Sequence, residues 1–191
     1  MNIKIPVGVS SRHVHLTKEI YDVLFDEEIS IKNNLNQPGE FASNQTITIK
    51  TDKGIIENVR ILGPFRNYNQ VEISKSDAYK LGLNPPVRTS GDLMHSETIT
   101  LINKDKEITL ENACIIANRH VHISSARAEE LNLKNNEVVQ VKINGEKSGV
   151  VDAFIKITDN GYFEMHIDFD DANAFLLNNN DEVEILRWVL K

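Results

Sequence analysis

Alternation of apolar and polar residues, rather than helical spacing, organises most of this chain. Residues 7–10, 45–50, 55–62, 138–143 and 183–190 read as short strands. Thr51-Asp52-Lys53-Gly54 makes a hairpin turn, and residues 101–110 form another hairpin around Asn103-Lys104-Asp105-Lys106. Residues 29–45 hold Asn33-Asn34 and Gln37-Pro38-Gly39 and have little periodicity, so they read as loop. Helix-prone runs are brief, at 18–25 and 126–131. Strands with frequent turns and no βαβ pattern predict a mainly β chain with short helices (α+β), folded as two small β-barrels. The halves meet near residue 112, giving domains at 1–112 and 113–191.

A repeat underlies the pattern. Arg12-His13-Val14-His15 recurs as Arg119-His120-Val121-His122. Thr17 and Ser124 follow as helix N-caps, so the unit is strand, cap, short helix. Val71-Glu72-Ile73-Ser74 and Met165-His166-Ile167-Asp168 are two further copies. Downstream, Ala128, Leu131 and Leu133 align with Ala78, Leu81 and Leu83, and with Ala172, Phe175 and Leu177. The first copy fits more loosely, with Tyr21 and Leu24 at the alanine and leucine positions. The strand-ending position holds His15, Glu72, His122 and His166; two places earlier stand His13, Gln70, His120 and Glu164.

Side chains two apart on a strand share a face, so each His-Val-His aims two imidazoles at one place. Brought together, such pairs suit one or two divalent metals. A single His-x-His on a strand is more often a surface or core feature. Metal-capable side chains at four equivalent positions are harder to dismiss, because repetition alone does not require a ligand type at each.

Composition narrows the partners. The net charge of -7 over 191 residues argues against a nucleic-acid backbone. No apolar run is long enough for a membrane helix, and the first residues are too short and polar for a signal peptide. One cysteine, Cys114, excludes an internal disulfide and reads as a buried strand residue in a reducing compartment. Arg66, in the Gly63-Pro64-Phe65-Arg66 turn six positions before Glu72, is placed to grip phosphate beside a metal. Asp168, Asp170 and Asp171 read as helix capping rather than a calcium site.

Several motifs in order resemble the PduL-type phosphate propanoyltransferases: residues 9–16, Gly63-Pro64-Phe65-Arg66 with Gln70-Val71-Glu72, residues 119–122, and His166-Ile167-Asp168 with Asp171-Ala172-Asn173-Ala174. The resemblance spans nearly the whole chain. It implies interconversion of a short-chain acyl-CoA (propanoyl or acetyl) plus phosphate with acyl phosphate plus CoA. It also implies two β-barrel domains, with the first strand (1–12) able to pack with the second. Two zinc ions are implied, on His13, His15, Glu72, His120, His122 and His166. Arg66 would be the catalytic, phosphate-binding arginine, and CoA would meet Val9, Ser10, Ser11, Lys53, Arg60 and Asn173. A homodimer is what the family suggests. The chain starts too close to the first motif for the encapsulation helix of microcompartment members, so a cytoplasmic enzyme is the simpler expectation over a microcompartment lumen. Direct metal-assisted transfer is expected, since no activated serine or cysteine stands in the sequence. A metallohydrolase using the same ligands, or a non-catalytic metal or CoA-binding module, remains open on the residues alone.

Overall fold

The structure, a computed structural model, describes residues 3–186. The first half of the chain supplies β1 (Ile3–Ser10), β2 (His13–His15), α1 (Lys18–Leu24), β3 (Ile31–Asn34), β4 (Phe41–Lys50), β5 (Ile55–Gly63), β6 (Gln70–Glu72), α2 (Lys75–Leu81) and β7 (Val87–Arg88). Then follow β8 (Glu97–Asn103), β9 (Lys106–Ala117), β10 (His120–Ser124), α3 (Ser125–Glu130), β11 (Val138–Ile143), β12 (Gly149–Thr158), β13 (Glu164–Asp168), α4 (Phe169–Phe175) and β14 (Glu182–Leu186).

These elements form two compact units, each a closed six-stranded barrel. In residues 11–117 the ring is β4-β5-β2-β6-β9-β8, with β3 and β7 attached outside it. Residues 3–10 and 118–186 form the ring β1-β13-β10-β12-β11-β14. The rings share one pairing scheme. β2 runs antiparallel to β6 and parallel to β5, as β10 runs antiparallel to β13 and parallel to β12. β9 lies parallel to β6 as β1 lies parallel to β13. The N-terminal strand therefore completes the barrel of the later residues, and β9, which leads into β10, completes the earlier one.

Alternation fixes the register. Val14 faces its partner Val71, and Val121 faces Met165; all four are fully buried in two separate apolar cores. The flanking histidines and carboxylates point to the opposite face of each ladder. A slip of one residue would drive them into the core, at about 1.5–3 kcal/mol for each apolar side chain expelled. All four units take the expected caps: Thr17, Ser74, Ser124 and Asp168 each accept from the backbone N–H three residues on.

Two expectations change. Residues 29–45 are not all loop, because β3 and the start of β4 lie within them. Every residue of β3 is exposed and it joins β4 through its backbone, so no apolar alternation marks it. Pairing within both rings is mixed, and the parallel neighbours are far apart in sequence. The division expected near residue 112 falls after Ala117, since β9 runs unbroken through that point. Of the strand expected at 183–190, residues 187–190 lie outside the described residues. No helix among the described residues is long and apolar enough to cross a membrane.

Candidate metal centres

In each barrel the antiparallel pair of repeat strands makes a four-cornered patch on one face. His13 pairs with Glu72 and His15 with Gln70; in the other barrel His120 pairs with His166 and His122 with Glu164. Register partners in an antiparallel ladder share a face, so all four corners of each patch point the same way. Three corners of each form a cluster that could hold a metal ion. His13, His15 and Glu72 bring their donor atoms within 4.8 Å of one another, as do His120, His122 and His166.

The local geometry fits a cation. His13 Nδ1 lies 2.8 Å from the Ser11 carbonyl, and His120 Nδ1 lies 2.8 Å from the Asn118 carbonyl. A carbonyl only accepts, so both rings carry their proton on Nδ1 and turn the Nε2 lone pair toward the centre. Nε2 of His120 and Nε2 of His122 converge to 3.1 Å. That is close to the roughly 3.3 Å edge of a tetrahedron with 2.0–2.1 Å metal–nitrogen bonds. In the other centre, His13 Nε2 stands 3.4 Å from Glu72. The ring of His13 holds its proton more firmly than an ordinary imidazole. Burial opposes the charge, but Glu72, the Ser11 carbonyl and Glu40 outweigh it. A divalent cation would take over that role by replacing the proton.

Arg12 and Arg119, which begin the two Arg-His-Val-His copies, make matching forks. Arg12 Nε and Nη2 each donate to Asp77 at 2.8 Å, and Arg119 Nε and Nη2 donate to Asp171 at 2.7 and 2.6 Å. Both acids occupy the third position of a helix, α2 or α4, whose cap lies two residues past its repeat strand's last ligand. Each fork ties one His-Val-His strand to the helix that follows its neighbour. The repeat carried the signal: three residues after the cap, only the second and fourth copies have an aspartate, against Ile20 and Arg127 in the others.

Arg66 is tied by its backbone N–H to the Leu16 carbonyl and by its guanidinium to Glu40. Glu40, which sequence reasoning missed, is near enough to raise the proton affinity of His13, placing the pair by the first centre. The residues expected to meet CoA divide between the units. In one, Arg60 donates to the Ser43 and Asn44 carbonyls and pairs in register with His13, Ser11 holds His13, and Lys53 is exposed on the β4–β5 turn. In the other, the Val9 N–H donates to Asn179, Ser10 is half-buried at the end of β1, and Asn173 is exposed on α4. Cys114 is buried on β9, and burial pushes its thiol up to about 12.

A model of the phosphate propanoyltransferase family matches residues 6–178. The chain is 40% identical over 187 residues to a phosphate propanoyltransferase of Rhodopseudomonas palustris, covering 96% of this chain and 83% of that protein. It is 42% identical to one of Thermotoga maritima over 186 residues, covering 95% and 89%. Identity to one of Salmonella typhimurium is 42% over 173 residues, covering 89% and 82%.

Proposed function

The chain belongs to the phosphate propanoyltransferase family, an acyltransferase family, and from that premise we propose that it is a zinc-dependent enzyme interconverting propanoyl-CoA plus phosphate with propanoyl phosphate plus CoA. The observation that carries the zinc reading is the pair of convergent three-donor clusters on equivalent strand pairs. His13, His15 and Glu72 would hold one ion, and His120, His122 and His166 the other. Bound zinc would supply positive charge for phosphate and Lewis acidity for the thioester carbonyl.

The chain's own residues do the rest. Arg66 presents a planar fork suited to phosphate, which would compete with Glu40 for it. Val9, Ser10, Ser11, Lys53, Arg60 and Asn173 would bind CoA. The phosphate oxygen attacks the thioester carbon directly: a carbon–oxygen bond forms, the carbon–sulfur bond breaks, and the phosphate hydroxyl proton ends on the CoA thiol. A covalent acyl-cysteine is disfavoured because Cys114 is buried with its thiol held neutral.

The test is a panel of acetyl-, propanoyl- and butanoyl-CoA with phosphate, following CoA release and hydroxylamine-trapped acyl phosphate, before and after chelation. Acyl phosphate from propanoyl-CoA, lost on chelation and restored by zinc, is the expected result. Free propanoate without trapped acyl phosphate would mean a hydrolase instead. Activity untouched by exhaustive chelation would remove zinc from the reading. Arg66→Ala should raise the phosphate KM or lower turnover; an unchanged phosphate dependence sinks its role.

A further inference from the structure

Of the clustered donors, only Glu72 is a carboxylate, and its two oxygens have different neighbours. Oε2 stands 3.4 Å from His13 Nε2, near the spacing of two donors on one tetrahedral zinc. Oε1 accepts from Gln70 Nε2 at 2.5 Å. Gln70 is the fourth corner of the same patch, the register partner of His15, and is fully buried.

The surroundings of that amide fix which way it faces. Its Oε1 accepts the Gly91 backbone N–H at 2.7 Å, and a backbone N–H can only donate. Nε2 therefore faces the other way, where its two protons go to Glu72 Oε1 and to Ser90 Oγ, 2.8 Å away. Ser90 and Gly91 belong to a turn closed by the Asp92 N–H on the Thr89 carbonyl. Both N–H groups and the carbonyl of the buried amide are satisfied at once. Rotating it would strand polar groups away from water.

We propose that Gln70 is a positioning residue that makes Glu72 a one-oxygen donor: Oε1 stays on the amide, and Oε2 alone is offered to the metal beside His13 and His15. This rests on the zinc reading above and deepens it. Three single-atom donors leave one position of a tetrahedral ion open for substrate, whereas a carboxylate binding through both oxygens would crowd it. Carboxylate ligands are themselves held by hydrogen bonds, and the partner that holds them tunes the site. The pairing of roles is confined to this barrel. Only the first cluster counts a carboxylate among its donors, and only its patch has an amide at the fourth corner.

The test loads cobalt(II) into the full-length His122→Ala chain, whose second cluster lacks a donor. Visible absorption of cobalt is strong in a four-coordinate site and weak in a five-coordinate one. The first centre should absorb strongly, and adding Gln70→Met should weaken the band as the second oxygen of Glu72 joins the ion. Weak absorption with Gln70 in place overturns the one-oxygen donor, whether or not the methionine variant folds. A spectrum that Gln70→Met leaves unchanged overturns the role of the amide. As a second arm, zinc competition with a chromophoric chelator compares the wild-type chain with Gln70→Met. One of two sites should weaken by about 10–100-fold while the other keeps its affinity. Equal loss from both sites, or loss from neither, would also overturn the proposal. A wild-type chain that takes up neither zinc nor cobalt overturns the zinc reading itself.

Discussion

The two centres stand on the same strand pairing but keep their negative charge in different places. In the first barrel the carboxylate, Glu72, is among the donors and a neutral amide, Gln70, is hydrogen-bonded to it. In the second the clustered donors are three imidazoles, and the carboxylate, Glu164, is hydrogen-bonded to His166. Each patch thus holds one carboxylate. A duplicated scaffold can preserve charge while exchanging which corner carries it.

The largest expected effect tests whether the centres are independent. His15→Ala and His122→Ala should each reduce bound zinc from two ions per chain to one, read by elemental analysis after desalting. Turnover should fall by at least about 100-fold in both, since either change removes a direct donor. Loss of both ions from a single variant would break the picture of two self-contained centres.

The arginine forks sharpen the contrast next. The Asp77 side chain is 5% exposed and that of Asp171 19%. Asp77→Ala should cost about 2–3 kcal/mol in urea unfolding and Asp171→Ala about 1–2 kcal/mol, because charged hydrogen bonds matter more when desolvated. Equal costs would show that burial does not distinguish the forks. The caps come after: Ser74→Ala, at a buried cap, should cost about 1–2 kcal/mol, and Ser124→Ala, at a half-buried one, about 0.5–1 kcal/mol.

The smallest effect is alkaline. Cys114 neighbours Val71 in register, where the other barrel has Val7 beside Met165. Burial lifts the thiol from 9.0 to about 12, so the folded state keeps a proton that the unfolded chain loses. Its contribution is fully present below about pH 9 and is lost as pH rises toward 12. Cys114→Val should flatten the fall in unfolding midpoint between pH 8 and 10.5; parallel curves would assign that fall to other groups. The native thiol should also resist a thiol reagent at pH 8.

Much of this was legible because the repeat is a physical unit. Aligning four strand–cap–helix copies brought His13, His15, Glu72, His120, His122 and His166 to equivalent positions. The caps followed from local chemistry. Strand partners did not, since β2 meets β5 and β6 only after intervening elements, and pairing between distant segments leaves no periodic mark. The exposed strand β3 has no apolar side to betray it. Glu40 was invisible because its partners, Arg66 and the His13 environment, come from distant turns and strands. Glu164 was visible as a repeat position, but its hydrogen bond to a ring nitrogen is a fact of side-chain geometry.

The placement of β1 bears on how the chain is made. Synthesis proceeds from the N-terminus, so the earliest strand emerges long before its neighbours, β13 and β14, which end at Asp168 and Leu186. Residues 11–117 hold every strand of their own ring and can close while translation continues. The second ring cannot close until β14 has emerged, and until then β1 carries unpaired backbone edges. Of the described strands, the first synthesised is among the last to find its place.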